Sequence, residues 1–224
     1  MKLKYVSIAL AALVASTAPA QAAITVYTTL AAFNAATTAP GIDTYTGFSI
    51  TGVTLTPIVR IAGSYGYTAA TPGDFFGAGT VANPWLSTNT ATDTITFSAF
   101  TGGSNGVGGN FFGSNAAGAF LAGNITLVAT DSSGSVTQTI VGATTSSFVG
   151  FVSTTAVTSL TVTSVQPVGA FLWPTVDNLV FAKRAGVVQG AVPESSTWLM
   201  MLAGFGLVGG AMRRRSTARI AQAF

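Results

Sequence analysis

The chain has 224 residues, 49% of them hydrophobic and only 7% charged, and it contains neither histidine nor cysteine. Those absences exclude Ser-His-Asp and Cys-His catalysis, histidine-based zinc sites and any disulfide framework. The formal charge of +3 misleads, because most basic residues sit at the two ends. Between 23 and 191, Arg60, Lys183 and Arg184 face Asp43, Asp74, Asp93, Asp131 and Asp177, a net of −2. No concentrated basic face remains for nucleic acid.

Residues 1–22 read as a secretory signal for the Sec machinery and signal peptidase. Lys2 and Lys4 form a positive start, 6–14 form an apolar centre, and Ala20-Gln21-Ala22 offers small residues for cleavage before Ala23. The apolar centre is too short for an uncleaved anchor, and with no cysteine after it a lipoprotein anchor is excluded. The stretch 23–191 is long enough for one domain with a substantial core. Strands are expected at 24–27, 41–49, 53–60 and 64–68, with a single helix at 29–36 capped by Thr28 or Thr29. At 93–100 the sequence alternates strictly, placing Ile95, Phe97 and Ala99 on one face. Segments 124–130 and 135–141 flank Asp131-Ser132-Ser133-Gly134 and predict a hairpin. Further strands are expected at 147–153, 157–165 and 176–181. Glycine-rich connections such as 101–109 are too polar and flexible to read as elements. Phe97, Phe111, Phe148 and Phe151 are expected in the core.

Many short alternating strands separated by turns predict an all-β fold, an antiparallel β-sandwich of the jelly-roll kind, with one short N-terminal helix. A solenoid would need a fixed period, and none is present.

The C-terminal end is organised differently. From about 195 to 212 the sequence is uncharged and apolar on all sides, unlike an amphipathic core helix. As a helix it would be roughly 27 Å long, close to the ~30 Å of a hydrocarbon core. Gly206 and Gly210 form a small-xxx-small pair of the kind that lets helices approach. Arg213, Arg214 and Arg215 follow as a membrane stop. Moving three charges against about 100 mV costs roughly 7 kcal/mol, so the arginines and 216–224 are expected in the cytoplasm and everything before 192 outside.

Within 192–215, Val192, Pro193, Glu194, Trp198, Met200, Met201, Gly204, Phe205, Gly206, Gly209 and the three arginines occur in an order that resembles the PEP-CTERM sorting signal. The match is to its PEPxxWA-CTERM variant, with a Trp-Ala-Met-Met type block. The same signal also goes under the name of an ice-binding protein C-terminal domain. Three positions depart from the pattern: Ser195 stands for the second proline, Leu199 for alanine, and 216–224 extends past the arginines. The resemblance implies recognition by exosortase, a membrane-embedded cysteine transpeptidase-like enzyme of Gram-negative bacteria that make exopolysaccharide. It implies an inner-membrane precursor, then a periplasmic, outer-surface or extracellular biofilm-matrix location after processing. More loosely, 106–113, 146–153 and 173–181 are similar to ectodomains that precede this signal, which are β-sandwiches ending in an Asp-Asn-apolar strand.

Candidate chemistry in 23–191 is sparse. Asp43 with Asp177, or Asp74 with Asp93, would be the pairs for a glycan-processing enzyme, but isolated turn aspartates more often cap amides. Asp43, Asp177 and Asn178 are the candidate calcium ligands, since calcium accepts carboxylate and carbonyl oxygen in flexible geometry. No other cofactor is expected. Tyr65, Tyr67, Phe75, Phe76, Trp85 and Trp173 are candidates for stacking on sugar, or else for filling the core. Threonine abundance admits ice binding, but no regular threonine repeat supports it, and threonine also suits strand surfaces. The expectation is an exported, non-catalytic envelope or exopolysaccharide-matrix protein, with a carbohydrate-binding module as the alternative.

Overall fold

The computed structural model describes residues 24–186, 199–207, 209 and 212. The chain divides into two compact units, Met1–Ala185 and Gly186–Phe224. The first begins with β1 (Thr25–Tyr27), α1 (Leu30–Ala35), β2 (Thr37–Asp43), β3 (Val53–Thr54), β4 (Ile58–Ala62) and β5 (Tyr65–Ala70). Next come β6 (Phe75–Phe76), β7 (Ala78–Thr80), β8 (Asn83–Ser87), β9 (Ile95–Ser98), β10 (Gly106–Ser114) and β11 (Phe120–Leu121). It ends with β12 (Gly123–Asp131), β13 (Gly134–Ala143), β14 (Phe148–Val152), β15 (Val157–Val165) and β16 (Trp173–Arg184).

Two antiparallel sheets carry the fold. One orders β1-β14-β10-β16-β8-β7, with β2 also on β16 and β11 also on β10. The other orders β13-β12-β15-β9-β5-β4, and β3 pairs β6 separately. Period-two alternation gives the second sheet one apolar face. Tyr67, Ile95, Phe97, Leu127, Leu160 and Val162 are buried there against Val107, Phe111, Phe151, Leu179 and Phe181 of the first sheet. Ring contacts cross the interface: Tyr67 lies 5.2 Å from Phe181, and Tyr65 stacks on the same ring at 6.1 Å. The expected core phenylalanines Phe97, Phe111, Phe148 and Phe151 are all buried.

The outer face of the six-stranded sheet is rich in hydroxyls around β12, β15 and β9, while its edge strands expose Val59, Ile61 and Val141. Thr126 of β12 stands opposite Thr139 and Thr163, and Thr161 stands opposite Thr96. Hydroxyls pair across strands at Thr126–Thr139 (3.2 Å), Thr130–Ser135 (2.8 Å) and Thr94–Thr163 (3.0 Å). β-branched threonine suits the pleat, and each cross-strand hydroxyl pair adds a little stability.

The helix forms where its cap predicts: the Thr29 hydroxyl accepts the Ala32 N–H at 3.2 Å. Its single buried side chain, Phe33, seals a second small core on the outer face of the eight-stranded sheet with Phe148, Val152, Val180 and Ala182. Gly150 is required there, because a Cβ on it would overlap the Phe33 ring.

Several boundaries differ from expectation. The glycine-rich 106–109 is not a loop but the start of β10, a strand buried along almost its whole length between β14 and β16. A Cβ on Gly108 would sit 2.8 Å from the Gly150 Cα, so bare backbone permits the strands' packing. Strand β2 runs Thr37–Asp43 rather than 41–49, ending before Tyr45 turns to φ 54°. Segment 53–60 splits into β3 and β4 around Pro57, which has no N–H for a ladder. Ala99 does not join Ile95 and Phe97 inside, because at φ 52° it breaks the alternation and is exposed. The hairpin at 131–134 forms as expected, with Asp131 opposite Gly134.

Of the second unit, 199–207 is helical, and Leu199, Met200, Leu202, Phe205, Leu207 and Met212 are exposed. Among the described residues no helix is long and apolar enough to cross a membrane. Ala20, Ala22, Ala23, Val192, Pro193, Glu194, Trp198 and Arg213, Arg214 and Arg215 lie outside the described residues. Met201, Gly204, Gly206 and Gly209 of the motif fall in the described helical positions.

Candidate functional site

The surface feature with the most chemistry is a pair of adjoining hollows that share Trp173 and Asn89. Trp173 opens β16 and is half-buried. Its placement follows from the connection before it. The Gln166 side chain accepts the Leu172 N–H (3.1 Å) and donates to the carbonyls of Leu172 (2.8 Å) and Ala91 (2.9 Å). One amide thereby clamps 166–172 to the 88–92 loop. Phe171 is left exposed on the rim, 6.2 Å from Trp173 and edge-on to it. The Trp173 indole N–H turns onto the Asn89 carbonyl at 3.4 Å, leaving the ring as a partly open apolar surface.

One hollow, about 190 Å³, is lined by Ser87, Thr88, Asn89, Ser114, Asn115 and Trp173, among others. Ser87 and Ser114 belong to a row of three buried hydroxyls on neighbouring strands β8, β10 and β16, completed by Thr175. Thr175 donates to Ser114 Oγ at 2.8 Å, and Ser87 donates to the Pro174 carbonyl at 3.0 Å. The other hollow, about 340 Å³, is lined by Asn89, Thr90, Ala91, Thr92, Phe171 and Trp173. No lining residue of either hollow is charged.

Phe76, half-buried on β6, lines the Ser87–Ser114 hollow with Trp173, and the remaining aromatic candidates lie elsewhere. Tyr65 and Tyr67 are core residues, each 1% exposed, and are corrected from the sugar-contact set. Their hydroxyls are committed, to the Ala39 carbonyl (2.8 Å) and to Asp43 (2.6 Å). Alternation explains this: with Ala69 they form the inward face of β5. Phe75 is buried too. Trp85 is part of β8, not of a loop, and is wedged edge-on to Phe112 at 4.9 Å, so it lines neither hollow.

The aspartates are each tied to structural partners. Asp43 holds Arg60 through two oxygens, Nε to Oδ2 at 2.6 Å and Nη2 to Oδ1 at 2.8 Å, and also accepts the Tyr45 N–H and the Tyr67 hydroxyl. The guanidinium lies against the rings of Tyr45 and Phe48. Burial alone would raise the Asp43 pKa, but Arg60, Tyr67 and the Tyr45 amide together hold it below the usual value. Asp177 is pushed the other way: burial raises it, and the Asn178 N–H and the Asn83 side chain only partly offset that. Asp74 accepts the Thr56 N–H and Asp93 the Gly73 N–H. Asp131 accepts from the amides of Ser133 and Gly134 and from the hydroxyls of Ser133 and Ser153. These bonds override burial and hold its carboxyl at about 2.

The β2–β16 ladder sets Asp43 opposite Leu179, one residue from Asn178, but the side chains of the three candidate calcium ligands are engaged with different partners. A cation at Asp43 would have to displace a bidentate guanidinium, whereas Asp177 lies beside Asn83. Asn178, at φ 51° in the β10–β16 irregularity, reaches Asn110 at 3.4 Å. Among the described residues no three acidic, cysteine or histidine groups converge as a metal site. The hydroxyl row and the Gln166 clamp were missed in the sequence, since Ser87, Ser114, Gln166 and Thr175 carry no local motif. In comparisons with known proteins, no family model and no curated protein matches the chain.

Proposed function

We propose that the chain is an exported, non-catalytic matrix protein. Its first unit is a jelly-roll β-sandwich released by signal peptidase, and its C-terminal segment is a PEP-CTERM-type anchor and sorting signal read by exosortase in the inner membrane. From there the domain passes to the envelope surface or the exopolysaccharide. The observation that carries the non-catalytic reading is the state of the five aspartates, the domain's only acidic side chains. Every one is engaged with a backbone amide, a hydroxyl or Arg60 rather than paired across a cleft. General acid–base hydrolysis of a glycan needs two carboxyls flanking one bond. The uncharged threonine face of the six-stranded sheet suits a neutral, hydrated matrix.

A second reading, carbohydrate binding, is favoured by one specific observation: Trp173 and Phe171 present aromatic surface beside uncharged hollows. The test of the main reading is deletion of the chain in an exopolysaccharide-producing host. Matrix cohesion is expected to fall, and to be restored by chains carrying Asp74→Asn or Asp93→Asn. Glycan turnover that either substitution abolishes would contradict it.

A further inference from the structure

We propose that the two hollows flanking Trp173 form one binding site for a neutral polysaccharide chain, with the hollow over Ser87 and Ser114 seating one sugar ring and the Phe171 hollow its neighbour. This deepens the carbohydrate reading of Trp173 and rests on it. The proton inventory of the hydroxyl row is the starting point. Each hydroxyl has one hydrogen to donate and two lone pairs. Ser87 gives its hydrogen to the Pro174 carbonyl, and Thr175 gives its own to Ser114 over the shortest contact in the row. Ser114 is left with a hydrogen whose one acceptor among the described residues is Ser87 Oγ at 3.5 Å, the outer limit for such a bond. Ser114 is buried yet lines the hollow, so an acceptor entering there would satisfy it.

Asn115 adds a second donor. Its Oδ1 accepts the N–H groups of Ala117 and Ala119, at 2.9 and 3.0 Å, which fixes the amide and leaves Nδ2 free to donate. Two fixed donors beside an indole plane match the vicinal oxygens and apolar face of a pyranose ring. The absence of any charged lining residue selects a neutral sugar over a uronate or a phosphorylated one. Size limits what the first hollow can hold. The Ser114 hollow, about 190 Å³, falls below the ~300–1,000 Å³ of whole-ligand pockets, so it seats one ring. The Phe171 hollow continues past the shared Trp173 and Asn89.

The test is titration of the full chain, held in a sugar-free detergent, with neutral gluco-, manno- and galacto-oligosaccharides of one to six units. At least one series is expected to bind, with a disaccharide at least about tenfold tighter than its monosaccharide. Trp173→Ala is expected to abolish binding, and Ser114→Ala to weaken it about tenfold, the effect of one lost buried hydrogen bond. Ala116→Trp, an exposed loop position on the hollow's rim, fills the space without touching the core and is expected to abolish binding even if Ser114→Ala unfolds the domain. Binding that is lost with Trp173→Ala but survives Ala116→Trp would overturn the two-hollow site and leave Trp173 as a surface contact. No binding in any series would overturn both.

Discussion

At the residue scale, the aspartates separate by environment, and two of them predict opposite pH behaviour. Asp131 has a folded pKa held at about 2, below its ordinary value of 3.8. Its ionised form is therefore stabilised by folding. That contribution is complete above the ordinary value and is lost as pH falls through about 2. Asp131→Ala is expected to lower the Tm by several degrees at pH 7, with the gap from the parent chain shrinking as pH approaches 2. Thermal melts across pH 2–7 check this, and a gap constant with pH would contradict it. Asp177 has a raised folded pKa, so its charge opposes folding at neutral pH and the opposition is relieved as pH falls through that raised value. Asp177→Asn is expected to melt no lower than the parent at pH 7 and to lose any advantage near pH 4. The sequence showed that aspartates in turns cap amides, which holds for Asp74, Asp93 and Asp131. It could not show that Asp43 meets Arg60, because the two approach only when β2 and β4, on different sheets, pack together.

At the element scale, alternation was legible wherever a strand has one wet face. Strand β15 starts and stops where its pattern does, and the 131–134 hairpin forms at its turn. Alternation was silent for β10, whose two covered faces need small residues rather than a polar–apolar rhythm. Its glycines looked like a flexible loop because their reason lies on other elements: Gly150 across the ladder and Phe33 above it. The threonine pairs were hidden similarly. They are regular across β13, β12, β15 and β9, and sequence periodicity reads only along the chain. The packing of α1 gives a direct prediction. Gly150→Ala places a methyl group into the Phe33 ring and is expected to destabilise the domain by about 1–3 kcal/mol in urea unfolding. In a Phe33→Ala background the same change is expected to cost much less, since the space is then free. Additive costs would contradict the packing account.

At the scale of the whole molecule, the chain joins a cysteine-free β-domain, closed by packing and hydrogen bonds, to a C-terminal segment of a different character. The all-β architecture followed from composition and pattern. The aromatic site did not, because which rings reach the surface depends on strand register and on the connections: β5 turns two of the six candidates, Tyr65 and Tyr67, inward, and the Gln166 clamp leaves Phe171, which was not a candidate, exposed. The account's central claim is that the tail is a sorting device and the domain is its exported cargo. Intact-mass spectrometry of the mature protein from an exosortase-bearing, exopolysaccharide-producing host tests that claim most directly. A chain beginning at Ala23 and lacking the residues beyond the Val192-Pro193-Glu194 motif is the predicted result. A full-length product ending at Phe224 and still carrying Met1 would contradict it.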